Sequence, residues 1–406
     1  TIFISIHYYI LIQRFTYNLV VANSTKYYSM KLLINGSNLR GGGGVQAAIS
    51  FILETRKFPE NQYCILASEK LYNEIKDERF DNNYSIHRIS ILDINPVRKF
   101  SVLRTIKVIA KEFNPNCVFT PFGPSYWTPR VPHLVGFALG HLIYPESPYF
   151  STISLKEKMY WIVISKLKKI FLKRNSCFFH VETEDARIRL SKFLKCKAEN
   201  IYVVSNTYNP FFNYYSDSKR NLLLSEKEKN EFRLVMVSAY YSHKNFEIIN
   251  KVIQELTNRN VLNVRFVVTL EKKVYDEKFK DNYKYIHNVG PVAAKDCPQL
   301  YSECDVLFLP TLIECFSANY PEAMKMKKPI LTSDLPFAHD ICGDAAIFFD
   351  PMNEIDITEK ITLLLNNPSI SNQLIENGLE KLKFFDNSEK KAIKYLQICE
   401  KISIEN

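Results

Sequence analysis

Short apolar runs alternate with longer stretches of helical periodicity along almost the whole of this 406-residue chain. The runs at 31–35, 62–67, 84–90, 117–120, 133–138, 177–182 and 201–204 read as strands, with helices expected at 45–56, 98–112, 155–173 and 184–195. A polar, charged break covers 206–231. A second series then begins, with strands at 232–238, 263–269, 285–289, 305–310, 329–333 and 345–349. Its helices are expected at 244–257, 295–303, 318–327 and 354–366. Strands joined by helical crossovers form parallel, doubly wound sheets. The expected fold is therefore α/β, with two Rossmann-like domains at 30–210 and 232–406, a linker at 211–231 and a cleft between the halves. The last helix is free to pack back on the first domain. Ligands of such sheets bind at the carboxyl ends of the strands.

Composition narrows the class. Apolar residues make up 46% of the chain, with 28 Phe and 24 Tyr, which excludes disorder, collagen and coiled coil. The net charge of +10 (53 basic against 43 acidic residues) favours anionic partners, although a Lys-, Ile- and Asn-rich coding bias would give the same excess. The nine cysteines are scattered and lack ligand spacing, which favours reduced thiols in the cytoplasm over disulfides or zinc. Residues 1–29 are apolar but interrupted by Gln13, Arg14, Asn18 and Asn23, too short a run for a membrane span. They are expected to be an upstream extension, with the fold beginning at Met30.

Only 11 glycines occur, and four are consecutive, Gly41 to Gly44, between a strand and a helix. A loop there, with Gly43 and Gly44 at the helix start, would aim backbone N–H groups at an anion. It fits neither the P-loop nor the clean dinucleotide pattern, so ATPases and NAD enzymes lose support. The other prominent feature follows the strand at 305–310. Glu314 and Glu322 stand eight residues apart, one on a loop and one on the next helix, with the amides of Phe316, Ser317 and Ala318 between them. A carboxylate accepts from both hydroxyls of a ribose, and a helix start binds a diphosphate. Alone, two glutamates at this spacing more often mark a solvated face.

The wider pattern, Asp305…Leu309-Pro310…Glu314-x7-Glu322-Ala323-Met324…Pro329…Gly343-Asp344-Ala345-Ala346…Asp350-Pro351, resembles the retaining family 4 glycosyltransferases (glycosyl transferases group 1), which have the GT-B fold. Ser238 to Asn245 resembles that family's phosphate loop, with Lys244 on the diphosphate. Val289-Gly290-Pro291-Val292 resembles the segment holding the base through main chain, so Gly290 and Val292 are assigned to the donor. His141 matches the family's histidine near the donor sugar; a lone histidine is more often structural, and His133 reads as core. The resemblance implies Glu314 on donor-sugar hydroxyls and Glu322 on the ribose. It is sharpest over 289–351. Two departures stand out. Cys315 and Ser317 occupy positions that are usually glycine, and Ser238-Ala239 replaces a usual Gly-Arg.

No Asp-x-Asp occurs, so Lys244 and amides, without a metal or cofactor, are expected to neutralise the leaving diphosphate. The stretch Leu155 to Arg174 carries seven basic residues and one acidic one beside an apolar face. It reads as a membrane-surface helix or as an ordinary helix with a solvated basic face. Together these features imply a metal-independent, retaining, hexosyltransferase-type glycosyltransferase in the cytoplasm or at the inner face of the membrane. Its nucleoside diphosphate sugar would be the co-substrate. Its acceptor would be a saccharide or lipid-linked saccharide of bacterial surface polysaccharide synthesis. Nucleic acid has only the charge in its favour. A nucleotide-sugar epimerase and a catalytically silent sugar-nucleotide binder remain the alternatives. Donor sugar, base, acceptor, linkage and oligomeric state leave no mark in the sequence.

Overall fold

The computed structural model describes residues 29–89, 96–216 and 222–405; of the expected extension at 1–29, all but Ser29 lies outside them. The first sheet contains β1 (Lys31–Gly36), β2 (Gln62–Ala67), β3 (Tyr84–Arg88), β4 (Cys117–Thr120), β5 (His133–Gly136), β6 (Phe178–Val181) and β7 (Ile201–Val203). The second contains β8 (Phe232–Met236), β9 (Val264–Val268), β10 (Ile286–Asn288), β11 (Val306–Leu309), β12 (Ile330–Ser333) and β13 (Ala346–Phe349). Their orders are β3-β2-β1-β4-β5-β6-β7 and β10-β9-β8-β11-β12-β13. Neighbouring strands pair in parallel, as in the registers Leu33↔Cys64 and Leu307↔Ile330. Each sheet thus reverses its winding once, between β1 and β4 and between β8 and β11. Those are the two places where loops diverge and leave a crevice.

Burial on both faces explains why these strands are nearly continuous apolar runs. One core cluster crosses between the domains. It joins Val135, Phe137 and Leu142 from the first to Leu309, Ile313, Met324 and Phe337 from the second. The closing helix Ser388–Ile404 leaves the second domain and buries Tyr395, Leu396 and Cys399 in the first domain's core. The ring of Tyr395 lies 4.9 Å from Phe119 and 5.6 Å from Phe51.

The glycine run differs from expectation. The helix Gly42–Glu54 begins within it, so Gly43 and Gly44 form a first turn and not a loop. Val45, Ala48, Phe51 and Ile52 supply the buried stripe that draws the helix back to that point. Gly42 has φ +65°, which a side chain would strain.

Candidate functional site

The two loops flanking the β8/β11 switch point supply the central pair. After β8, the Ser238 N–H donates to Thr269 Oγ1 (3.0 Å), and the chain closes into a 3₁₀ turn, Ser242–Lys244. Asn245 follows in the left-handed region at φ 58° and donates to the Pro351 carbonyl at 2.8 Å. After β11, the Leu312 N–H and the Thr311 hydroxyl both donate to the His243 carbonyl, at 2.8 and 3.2 Å. That clasp brings Lys244 Nζ onto Glu314 Oε1 in an ion pair whose side chains are 13% and 14% exposed. Sequence reasoning gave these residues separate partners, diphosphate and sugar. The structure places them on each other.

The segment from Cys315 to Ala318 runs into the helix Asn319–Lys325, and the Asn319 amide donates to the Val237 carbonyl at 2.8 Å. The amides of Phe316, Ser317 and Ala318 have no acceptor among the described residues, as required of donors kept for a ligand. Neither Cys315 nor Ser317 has a positive φ, so the loop holds its course without glycine and without strain. The buried Cys315 thiol is pushed well up in pKa by desolvation and by Glu182 and Glu314. It is no nucleophile at neutral pH.

Glu322 is held separately. It accepts from the Tyr301 hydroxyl at 3.2 Å, and desolvation raises its pKa to about 7 despite that bond. Gly290 adopts φ +74°, and its N–H donates to Asn288 Oδ1 at 3.2 Å. Asn288 also exchanges two bonds with the Leu270 backbone, at 2.9 and 3.0 Å, which fixes the turn preceding Val292.

The first domain contributes His141, in the short helix Gly140–Ile143 beyond β5. Its ring stacks on Trp161 at 4.2 Å and meets Tyr149 and His243 edge-on at 5.0 and 5.1 Å. His243, which had no role in the sequence reading, is thus the second domain's contact to His141, next to Lys244. Burial lowers His141 to about 4, helped by Lys168. Burial lowers His243 to about 3, helped by Lys244 and His141. Both imidazoles are neutral at pH 7. The domains are latched here by Ser147 Oγ donating to the Leu312 carbonyl (2.7 Å) and by Tyr149 Oη and Ser242 Oγ at 3.3 Å. A Cβ added to Gly140 would fall 2.5 Å from Ile313 Cγ2, so the backbones meet closely.

His133 is buried core: it bonds Thr120 Oγ1 at 2.7 Å and the Asn175 carbonyl at 2.9 Å. Gly43 and Gly44 stand at the carboxyl edge of the first sheet, where a Cβ on Gly44 would touch Phe122 at 3.4 Å and one on Gly43 nothing within 4 Å. Asn38 fills that sheet's own switch point by donating to the Phe122 and Pro124 carbonyls, at 2.6 and 2.9 Å. Glu182 was missed. It is a buried carboxylate directly after β6, and its only sequence signal is a charge ending an apolar run.

Known proteins share this architecture. Residues 220–381 match the family model described as Glycosyl transferases group 1. The fold is GT-B. The sucrose-phosphate synthase of Thermosynechococcus elongatus superposes with a TM-score of 0.69 at 13% identity, covering 93% of this chain and 100% of that one. WaaG, a glycosyltransferase involved in lipopolysaccharide biosynthesis, gives 0.66 at 12%, covering 91% and 99%. Anabaena HepE, solved with UDP and glucose, gives 0.67 at 12%, covering 92% and 100%. Among curated proteins, the O-antigen chain mannosyltransferase RfbU of Salmonella typhimurium is 25% identical over 214 residues, 51% of this chain and 55% of RfbU. The chain thus matches little more than half the length of its curated relatives.

Proposed function

We propose that the protein is a retaining, metal-independent glycosyltransferase that moves a sugar from a nucleoside diphosphate sugar to a saccharide or lipid-linked saccharide acceptor. The observation that carries this reading is the set of amides at 316–318, without an acceptor among the described residues, on the same loop as Glu314, which pairs with Lys244. Amides and an ammonium at a switch point stabilise a departing diphosphate without a cation. Lys244 turns from Glu314 to the diphosphate, Glu314 is released towards the donor-sugar hydroxyls, and Glu322 accepts from the ribose. His141, neutral and held by Trp161, faces the sugar. Among the described residues none stands out as a nucleophile, and in this reading the leaving phosphate takes the acceptor proton on the same face. The names of RfbU and WaaG favour surface polysaccharide assembly, and the HepE complexes favour a nucleotide-sugar donor.

The test is release of nucleoside diphosphate from a panel of UDP-, GDP- and ADP-sugars with and without EDTA. Release insensitive to EDTA and lost in Glu322→Ala supports the reading. Altered sugar stereochemistry without release would indicate epimerisation, and binding without turnover a silent protein.

The acceptor side suggests a lipid surface. Among the described residues no helix is long and apolar enough to cross a membrane. The helix Leu155–Asn175 nevertheless exposes Leu155, Met159, Tyr160, Ile162, Val163, Leu167 and Ile170, while Trp161 packs inward and Leu172 is buried. Its outer face is thus apolar with Lys156, Lys166, Lys173 and Arg174 exposed on the same helix, and not the simply solvated basic face that charge alone suggests. An anionic bilayer matches both features. Binding to phosphatidylglycerol vesicles, but not to phosphatidylcholine vesicles, is expected. Equal binding after charge reversal of these four residues would refute the match.

A further inference from the structure

Four rings form a column across the domain seam. Tyr241 lies nearly parallel to His243, with centroids 5.5 Å apart and planes at 20°. His243 meets His141 edge-on at 5.1 Å and 87°, and His141 lies flat on Trp161 at 4.2 Å and 8°. Tyr241 and His243 belong to the loop after β8. His141 and Trp161 belong to the first domain, Trp161 on the helix Leu155–Asn175. Tyr149 closes the corner, edge-on to both imidazoles at 5.0 and 6.3 Å. The hydrogen bonds from Ser147 to the Leu312 carbonyl and between Tyr149 and Ser242 latch the domains beside this column.

The His141 ring has no hydrogen-bond partner among the described residues, so ring contacts orient it. Stacking on Trp161 fixes the plane of the imidazole but leaves it free to slide and turn within that plane. A second ring set at right angles, against its edge, removes that freedom. Burial keeps both imidazoles neutral at pH 7, so they approach without charge repulsion. The backbone and the side chain of His243 have separate tasks. Its carbonyl takes the Leu312 N–H and the Thr311 hydroxyl, the clasp that sets Lys244 beside Glu314. Its ring takes no part in that clasp and faces His141 instead. A side-chain substitution at 243 therefore tests the ring and spares the clasp.

We propose that the His243 ring is a positioning residue for His141: set edge-on from the second domain against an imidazole that Trp161 carries from the first, it fixes the direction in which that imidazole meets the donor sugar. This rests on the donor site proposed above. The ring that faces the sugar is then held from both domains and keeps its direction while they stay latched. The turn that carries Lys244 to the diphosphate also carries the His243 ring to His141, so one short segment aligns both. A misplacement of about 1 Å near a reacting centre costs on the order of a hundredfold in rate. Nucleotide binding depends on Lys244, the 316–318 amides and Glu322, none of which needs the His243 ring. Loss of the ring is therefore felt in kcat and not in nucleotide affinity.

The full chain is assayed for nucleoside diphosphate release from UDP-, GDP- and ADP-sugars and for binding of UDP, GDP and ADP. His243→Ala is expected to lower kcat by about tenfold to a hundredfold, with nucleotide Kd within about twofold of wild type. His243→Phe keeps a ring edge against His141 and is expected to recover most of the loss. Trp161 reports the geometry without any ligand. It and Trp127 are the only tryptophans of the chain, so a Trp127→Phe background isolates its emission. That emission is expected to change in His243→Ala, as the stacked imidazole loosens, and to return in His243→Phe. The kinetic comparison is made without Trp127→Phe and decides alone should that background not fold. Turnover near wild type in His243→Ala overturns the proposal, as does Trp161 emission unaltered by that substitution. Nucleotide affinity falling in step with turnover also overturns it, because the ring would then serve Lys244. So does His243→Phe as impaired as His243→Ala, because a ring nitrogen would then be the working group. All four results leave the donor site standing. Failure of the wild type to bind any of the three nucleotides, or to release them from their sugars, removes the donor site and the proposal with it.

Discussion

The second sheet carries a glutamate–cation pair at each end, and the two are built differently. At the amino end of β8, Arg233 Nε meets Glu231 Oε1 at 2.8 Å, and both side chains are 3% exposed. The guanidinium also donates to the Ser225 carbonyl at 2.9 Å, while Glu231 accepts from the Glu228 N–H at 2.8 Å and from His287 at 3.1 Å. At the carboxyl end, Lys244 and Glu314 have each other and far fewer further bonds, and water reaches both. A planar guanidinium with every oxygen answered fixes a linker to a sheet. A lone ammonium on one carboxylate can be exchanged for a ligand. The same charges are therefore locked into structure at one edge and left exchangeable at the other.

The difference can be broken from either side. Arg233→Ala leaves Glu231 buried without its cation, and such single-partner removals cost about 3–5 kcal/mol. Urea unfolding at pH 7 is expected to show that loss, with nucleotide affinity of the folded fraction unchanged. Burial resists ionisation of Glu231, but the bonds from Arg233, the Glu228 N–H and His287 hold its pKa down at about 2. Because the folded value lies below the unfolded 4.5, its contribution is complete above that pH and is lost as pH falls towards 2. Lys244→Ala should do the reverse. Turnover falls about 10²–10³-fold, the scale for losing one donor to a developing anion. The urea midpoint moves little, since Glu314 is left accessible to water. A large stability loss in Lys244→Ala would make this pair structural too.

Legibility follows the same division. Strand positions were readable because a strand buried on both faces must be apolar throughout. Cys117–Thr120 and Gln62–Ala67 fall where their apolar runs fall. Pro368–Leu382 was not readable. It buries little more than Leu374 and Gly378, and is held by the contact between Gly378 and Met324, where an added Cβ would lie 3.2 Å from Met324 Cγ. Within the candidate site, Glu314, Glu322 and the amides between them share one short segment and could be found together. The pairing of Lys244 with Glu314 spans 70 residues, and the contact of His243 with His141 spans both domains. Neither has a local signature.

Glu322 offers a milder test of the contrast, since its burial has no compensating cation. With a pKa near 7 it must ionise to take the proposed role of accepting both ribose hydroxyls. Nucleotide affinity is expected to fall as pH drops from 8 to 6, by about tenfold at most. Glu322→Gln should flatten that profile. A profile unchanged in Glu322→Gln would place the ribose elsewhere.

The smallest effect concerns Cys315, between Glu314 and the free amides. If this loop needed glycine's freedom, Cys315→Gly would speed turnover. The backbone there has no positive φ, and the Cys315 side chain is part of the core cluster shared by the two domains. Glycine would then only add freedom to the unfolded chain and remove packing, costing about 1 kcal/mol. Differential scanning calorimetry should show a midpoint lower by about 2–4 °C, with turnover within about twofold of wild type. A rise in turnover of tenfold or more would mean that the loop has to pass through a left-handed geometry during the reaction, one that the resting structure does not adopt.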